Sequence, residues 1–181
     1  MSGLERLGSK TVYEGKIATV RVEEFRYPDG GTAEREVVGH PGAVAIVAHD
    51  AGVVYLVRQP REPVSEPDLL ELPAGKLDVE GESRLDCARR ELAEEIGREA
   101  SDWRELKRFY TSPGLLEEEV TVFAATGLSE VDRKASDEER LEIVSVPLRE
   151  IDRAIADCHD AKSLVGLMIF RDELRGDVAG A

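Results

Sequence analysis

Apolar residues recur with a helical period in one stretch near the middle of the chain. The recurring residues are Leu85, Ala88, Leu92 and Ile96. Their spacing of three or four positions predicts an amphipathic helix whose apolar stripe faces a core. Ser83 can cap the start of this helix through its hydroxyl group. Gly97 can end it, because glycine readily adopts the left-handed conformation found at helix ends.

Other segments alternate apolar and polar residues or form short apolar runs, and these patterns predict strands. The predicted strands span residues 11–13, 17–25, 32–38, 43–48, 53–57, 103–110, 120–128 and 141–147. The turn sequence PDGG at 28–31 joins the second and third strands as a hairpin. Two closing helices are predicted over 148–158 and 161–174, with Asp160 as the N-cap of the second. Strands mixed with a central helix and terminal helices indicate an α+β sandwich.

The composition indicates a compact domain with an acidic surface. Of the 181 residues 41% are hydrophobic, which is enough for a packed core, and 38 acidic against 24 basic residues give a net charge of −14. Nucleic acid and anionic membranes require a basic surface, so neither is expected as a partner. A small phosphate compound fits, because bound divalent ions reverse the local field.

Nothing in the sequence predicts export or membrane insertion. The N-terminus lacks the apolar region of a signal peptide, and no apolar run reaches membrane length. Cys87 and Cys158 fall on predicted helices as small hydrophobic residues, which suits a reducing compartment. We therefore expect a cytoplasmic protein.

Carboxylates crowd the C-terminal end of the central helix, where local stability does not favour them. Glu91 and Glu95 lie one turn apart beside the apolar stripe, and Glu94 lies further toward solvent. Like charges at this spacing cost roughly a few tenths of a kcal/mol, and they oppose the negative end of the helix dipole. A hard divalent cation would compensate both effects. The alternative, a solvated acidic face, leaves the clustering and the upstream Glu82 unexplained.

The same segment resembles the Nudix box, G-x5-E-x7-R-E-U-x-E-E-x-G-U, in which U is an aliphatic residue. The matching residues are Gly75, Glu82, Arg90, Glu91, Leu92, Glu94, Glu95 and Gly97. The chain departs from the motif twice: six residues rather than five separate Gly75 from Glu82, and Arg98 takes the last aliphatic position. The resemblance implies a Nudix-type α/β/α sandwich with a mixed sheet, together with an N-terminal antiparallel β subdomain.

Further segments are similar to the ADP-ribose pyrophosphatase branch of the Nudix hydrolases. They are Gln59-Pro60-Arg61, the sequence LELPAG at 70–75, Pro113 fifteen residues beyond Arg98, and Asp160-Ala161-Lys162. The branch typically has a tyrosine where this chain has Pro60. The implied organisation is a β-strand subdomain over 1–40 for dimerisation and substrate contact, a Nudix hydrolase domain over 41–175, and a tail over 176–181.

The resemblance also implies roles for the residues of the box. The expected metal ligands are Glu91, Glu94, Glu95 and the main-chain carbonyl of Ala74. Mg²⁺ is the expected cation, with Mn²⁺ or another divalent ion as the alternative. The expected structural residues of the motif are Gly75, Glu82, Arg90 and Gly97. Gly75 would let the backbone approach the metal, and Arg90 would orient Glu82 or Glu94 by pairing with it.

Substrate binding and proton transfer are expected from residues outside the helix. Arg61 suits a phosphate clamp, since a guanidinium matches phosphate oxygens, although a solvated loop arginine is the alternative. The other expected substrate contacts are Arg35, Pro113 and Gly114. In the resembled branch the general base lies on an acidic loop before the last strand, where this chain has Glu138 and Glu139, and either can serve. Glu95 completes the predicted catalytic residues.

The expected function is divalent-metal-dependent hydrolysis of ADP-ribose to AMP and ribose 5-phosphate. Similar enzymes exchange their N-terminal strands, so a homodimer is expected, with Arg35 reaching the substrate across it. Another nucleoside-diphosphate sugar, such as GDP-mannose, is an alternative substrate because the box governs the diphosphate chemistry and not the sugar. A non-catalytic ADP-ribose sensor is the alternative of a different class, although such proteins usually have a degraded box.

Overall fold

The computed structural model describes residues 3–132 and 140–176, which form two compact units. The first unit takes in the described residues up to Gly42 together with Tyr110–Glu119, and the second takes in Ala43–Phe109 and the described residues from Val120 onward. The strands are β1 (Glu5–Glu14), β2 (Thr19–Arg26), β3 (Thr32–Gly39), β4 (Ala43–Asp50), β5 (Val53–Arg61), β6 (Glu66–Glu71), β7 (Ala74–Lys76), β8 (Arg98–Tyr110), β9 (Glu119–Glu130) and β10 (Glu142–Pro147). The helices are α1 (Arg84–Ile96), α2 (Ile151–Asp157) and α3 (Ala161–Arg175).

The second unit is built on a seven-stranded sheet with β4 at its centre. The strand order is β10-β5-β4-β9-β8, with β6 paired to β5 and β7 paired to β4. The sheet is mixed, because β4 runs parallel to β9 and antiparallel to β5 and β7. Odd-numbered residues of β4, from Ala43 to Val47, join a core cluster with α2 and α3, whereas even-numbered residues, from Val44 to Ala48, join a cluster with α1. Helices therefore cover both faces, which confirms the predicted α/β/α sandwich.

The predicted helix caps are confirmed. The Ser83 hydroxyl accepts a hydrogen bond from the Asp86 N–H at 3.1 Å, and Gly97 ends α1 with a φ of 65°. The Asp160 carboxylate accepts a hydrogen bond from the Ser163 N–H at 3.0 Å at the start of α3. Within the described residues, none of the helices combines the length and the apolarity that crossing a membrane requires.

The first unit contains a three-stranded antiparallel sheet in the order β1-β2-β3, which confirms the predicted N-terminal β subdomain. The β2–β3 hairpin turns at 28–31 as the sequence predicts. Segment 110–119 belongs to the same unit: the Val38 N–H donates to the Leu115 carbonyl at 2.8 Å, and the Glu117 N–H donates to the Val38 carbonyl at 3.0 Å. The unit thus includes a segment that the sequence analysis assigns to the Nudix domain.

Several elements differ from the predictions for local physical reasons. β1 extends beyond the predicted strand at 11–13. Its full length is not predicted because all its residues are exposed and their polarity does not alternate. β6 and β7 are not predicted, since β6 opens with polar residues and β7 has three residues including a glycine. The predicted helix over 148–158 opens as the 3-10 turn Leu148–Glu150 before α2 begins.

Replacing Gly97 by alanine is expected to lower the free energy of unfolding by about 1 kcal/mol, because alanine is strained in the left-handed conformation. Asparagine adopts that conformation more readily, so Gly97→Asn should lose clearly less stability. Urea unfolding of the wild type and both variants measures the difference. Equal losses in the two variants would contradict this role for Gly97.

Candidate active site

The three glutamates of α1 lie in its last two turns, next to the loop that joins β6 to β7. Glu95 is 6% exposed, and its Oε2 accepts a hydrogen bond from the Ala74 N–H at 3.0 Å. The Glu91 side chain is largely buried, whereas more than a third of the Glu94 side chain is exposed. The helical spacing therefore places two of the three carboxylates against the loop and the third nearest solvent.

Arg90 joins these carboxylates through a forked set of hydrogen bonds. Its Nε and Nη2 donate to the two carboxylate oxygens of Glu82 at 2.9 and 3.0 Å. Its Nη1 donates to Glu91 Oε1 at 2.6 Å and to Glu94 Oε2 at 3.1 Å. Arg90 is expected from the sequence to pair with Glu82 or Glu94, and in the structure it contacts both and also Glu91. One guanidinium thus links the loop carboxylate to two carboxylates of the helix.

The fork shifts the ionisation of its members. Hydrogen bonds from Arg90 hold the pKa of Glu82 below its usual range, outweighing the opposite effect of burial. The same hydrogen bonds raise the pKa of Arg90, so both groups are ionised at neutral pH. Cys87 Sγ lies 3.5 Å from Arg90 Nη2, and burial raises the pKa of this thiol to about 12. Cys87 is therefore protonated at neutral pH.

Gly75 brings the backbone of β7 directly against Glu91. A Cβ atom at this position would overlap the carboxyl group and Cγ of Glu91. An alanine here would force the Glu91 side chain to move, whereas glycine lets the backbone approach it closely. Because the neighbouring Ala74 N–H is bonded to Glu95, the Ala74–Gly75 backbone lies next to two carboxylates of α1.

The donors at this helix end fit a hard divalent cation in kind, because carboxylate and main-chain carbonyl oxygens are the ligands that Mg²⁺ and Mn²⁺ prefer. The glycine at Gly75 keeps the backbone close to these oxygens. Among residues 3–132 and 140–176, however, no three or more His, Cys, Asp or Glu side chains are arranged to hold a metal ion. Arg90 takes up one oxygen each of Glu91 and Glu94. Coordination by all three helix carboxylates therefore requires side-chain rotation near Arg90.

Arg61 is paired with a buried carboxylate that the sequence analysis missed. Glu71 is 1% exposed, and its two oxygens accept hydrogen bonds from Arg61 Nε at 2.5 Å and Nη2 at 2.8 Å. Lys162 Nζ donates to Glu71 Oε2 at 2.6 Å. Burial raises the pKa of Glu71, but the hydrogen bonds from Arg61 and the charge of Lys162 lower it below its usual range. The available signal is one charged residue inside the apolar run at 69–72 (LLEL).

A pocket in the first unit brings together the other predicted substrate residues. Its volume is about 320 Å³, and Arg35, Pro113 and Gly114 all line it. Phe25 and Tyr27 line the same pocket, and the Tyr27 hydroxyl accepts a hydrogen bond from Arg35 Nη2 at 3.0 Å. Aromatic rings beside a positioned guanidinium are suited to a flat, polar ligand group.

Three further residues singled out in the sequence are Glu138, Glu139 and Arg98. The predicted general bases Glu138 and Glu139 lie outside the described residues. Arg98, which replaces an aliphatic residue of the motif, has its guanidinium carbon 4.6 Å from the centroid of the Tyr55 ring. This cation–π contact packs the position that an aliphatic side chain fills in the motif.

Two family models match the chain. The model of the Nudix domain matches residues 39–165, which contain the acidic helix and its loop. The model of the nucleoside diphosphate sugar hydrolase N-terminal domain matches residues 5–38, which contain most of the three-stranded sheet. Nudix hydrolases generally depend on divalent metal ions, in agreement with the donors of the site.

Two named relatives and one solved structure are similar to this chain along most of its length. The ADP-ribose pyrophosphatase of Mycobacterium tuberculosis is 43% identical over 83% of this chain and 74% of the relative. The ADP-ribose pyrophosphatase of Bacillus subtilis is 38% identical over 94% of this chain and 95% of the relative. A crystal structure of an ADP compounds hydrolase shares the fold with a TM-score of 0.84 and 25% identity, covering 98% of this chain and 97% of the other. From the extent of these matches and the acidic helix that they include, we conclude that the chain belongs to the Nudix family and is a Nudix hydrolase.

Proposed function

We propose that this Nudix hydrolase cleaves the diphosphate of ADP-ribose and releases AMP and ribose 5-phosphate. The observation that carries the proposal is the carboxylate-rich end of α1 held against the Ala74–Gly75 backbone, in a chain similar along its length to ADP-ribose pyrophosphatases. The reaction adds water across the P–O–P linkage. The hydroxyl group joins one phosphorus atom, the bridging oxygen leaves with the other phosphate, and a base accepts the remaining proton.

Mg²⁺ is the cation proposed for this site, with Mn²⁺ or another divalent ion as the alternative. The residues that would hold it are Glu91, Glu94, Glu95 and the carbonyl of Ala74. When bound, the ion neutralises phosphoryl oxygens and activates water. Arg90 keeps Glu82, Glu91 and Glu94 within reach of one another. Its guanidinium also offsets part of the like-charge repulsion.

The remaining residues bind the substrate or move the proton. Arg61 contacts the diphosphate, since a guanidinium forms paired hydrogen bonds with phosphate oxygens. Arg35, Pro113 and Gly114, which line a pocket of the first unit, are further substrate contacts that the family resemblance implies. Glu138 or Glu139 accepts the proton of the attacking water, a role that the family resemblance implies for these residues.

The N-terminal strands are proposed to form a homodimer. β1 is an edge strand of its sheet, and all its residues are exposed. Exposed apolar residues on this unit include Leu4, Leu7, Val12 and Tyr13. An unpaired edge with exposed apolar side chains favours pairing with another chain. We also propose that this hydrolase is cytoplasmic.

A substrate panel tests the proposed activity directly. With Mg²⁺ present, ADP-ribose should be hydrolysed faster than GDP-mannose or a nucleoside triphosphate, with AMP and ribose 5-phosphate as products. Glu95→Gln should lower turnover by at least about 100-fold, because it removes a charged ligand while keeping the shape of the side chain. Glu130→Gln, at an exposed carboxylate of β9, is the matched control and should be fully active. If GDP-mannose were hydrolysed faster, it and not ADP-ribose would be the substrate. If the wild type bound ADP-ribose without turnover, the sensor alternative would be favoured.

Gly75→Ala should lower the rate of ADP-ribose hydrolysis by about tenfold or more, because the new Cβ displaces the carboxyl group of Glu91. Glu130→Gln, at an exposed carboxylate of β9, is again the control and should be fully active. Steady-state kinetics and thermal unfolding of both variants separate an effect on the site from an effect on stability. A fully active Gly75→Ala enzyme would contradict the close approach described here.

Charged substitutions on β1 test the proposed dimer. The double variant Leu7→Asp/Val12→Asp should shift the protein from dimer to monomer, because two carboxylates would oppose pairing of the strand edges. Val64→Asp, at an exposed apolar residue of the second unit, should leave the assembly unchanged. Light scattering after size-exclusion chromatography measures the mass. A wild-type monomer, or a double variant that is still dimeric, would contradict the proposed interface.

A further inference from the structure

The first turn of α3 contacts the end of β6 at two consecutive residues. Lys162 Nζ donates to the Glu71 carboxylate, and the Leu72 N–H donates to the Ser163 hydroxyl at 2.7 Å. Asp160 accepts hydrogen bonds from Lys162 Nζ at 2.9 Å and from the Ser163 hydroxyl at 2.5 Å. The start of α3 therefore fixes both the side chain of Glu71 and the backbone that follows it.

Glu71 is held by two cations at once, and this arrangement determines how Arg61 is presented. The Nε and Nη2 atoms of Arg61 are both used by Glu71. Among the described residues, no hydrogen bond engages Arg61 Nη1, and 41% of the Arg61 side chain is exposed. A guanidinium is rigid and planar, so fixing one edge also fixes the direction of the other. The exposed edge of Arg61 thus has a defined orientation before any ligand binds.

The Arg61 guanidinium also interacts with carboxylates other than Glu71. The charges of Glu95 and Asp160 act on the Arg61 guanidinium as well as the charge of Glu71. Glu71 thus belongs to a connected group of charges that includes a carboxylate of α1. Within this group, Lys162 balances one buried negative charge, which would otherwise be costly.

We propose that Glu71 is a positioning residue, which holds the Arg61 guanidinium in the orientation that receives the diphosphate, and that Lys162 holds Glu71 in turn. This inference rests on the proposed function, because it assigns Arg61 to the diphosphate. Glu71 does not touch the substrate itself. Its effect on catalysis passes through Arg61, and the Ser163 hydroxyl fixes the backbone next to Glu71 by accepting a hydrogen bond from the Leu72 N–H.

A purely structural role for Glu71 predicts a different effect of substituting it. In that case the ion pairs anchor α3 to the sheet, and a substitution at Glu71 acts on stability whether or not Arg61 is present. If Glu71 acts through Arg61, its substitution has little further effect once the guanidinium has been removed. Residues that act through one another show large coupling in a double-mutant cycle, whereas independent residues show additive effects.

The test is a double-mutant cycle of Glu71→Gln and Arg61→Ala, with kcat/KM for ADP-ribose as the readout. Glu71→Gln should lower kcat/KM by roughly 10- to 100-fold in the wild-type background, as expected for losing charged hydrogen bonds. In the Arg61→Ala background the same substitution should change kcat/KM by less than about twofold. An equal loss in both backgrounds, or no loss in the wild type, would overturn the proposal.

Two further variants guard against trivial explanations. Glu173→Gln on α3 breaks another two-pronged pair, in which Arg104 donates to both carboxylate oxygens of Glu173 at 3.0 and 2.7 Å, and it should keep wild-type kcat/KM. If Glu71→Gln fails to fold, Lys162→Met takes its place in the cycle. Loss of the Lys162 contact should lower kcat/KM in the wild-type background and have little effect after Arg61→Ala. Additive effects of Lys162→Met would overturn the proposal equally.

A binding measurement separates failure of this inference from failure of the proposed function. The probe is ADP with a methylene group in place of the bridging oxygen, titrated calorimetrically into the same four proteins with Mg²⁺. If the wild type does not hydrolyse ADP-ribose but the variants lose probe affinity in a coupled way, the proposed activity is refuted and the positioning role is supported. Additive losses in a protein that hydrolyses ADP-ribose would do the reverse. Absence of probe binding and of turnover would refute both.

Discussion

The balance of charge at the C-terminal end of α1 is the constraint on which the rest of the structure depends. Three carboxylates share the last two turns of a helix whose dipole already places negative charge there. The Arg90 fork compensates part of this charge by joining Glu82, Glu91 and Glu94. The Ala74 N–H compensates a further part at Glu95. An arginine, a closely approaching backbone and the loop residue Glu82 thus surround carboxylates at a position where stability alone would favour neutral residues.

The sandwich supplies the rigid frame that this balance requires. β4 is buried on both faces, so it fixes α1 on one side of the sheet and α2 and α3 on the other. β6 and β7 border the loop that reaches the carboxylates, and β7 is paired directly to β4. The start of α3 contacts the same loop from its other end through Ser163 and Leu72. Both helical layers thus contribute to the position of a few backbone atoms beside Glu91 and Glu95.

The parts of this arrangement that follow from local pattern were predictable from the sequence. The spacing of Leu92 and Ile96 and the caps at Ser83 and Gly97 define α1, and the box spacing marks its carboxylates. Glu71 was not predictable, because its partners Arg61 and Lys162 lie on elements far apart in sequence, and only the folded sheet brings them together. The length of β1 was not predicted for another reason, because its exposed residues do not alternate between apolar and polar.

The central claim is that the acidic end of α1 is completed by a divalent cation, and calorimetric titration of Mn²⁺ into the wild type and Glu91→Gln tests it most directly. The account predicts saturable binding to the wild type and affinity reduced by at least about tenfold in the variant, since a charged oxygen ligand is lost. Thermal unfolding of both proteins confirms that the fold is intact. Equal Mn²⁺ affinity in the two proteins, or no saturable binding to the wild type, would contradict the account.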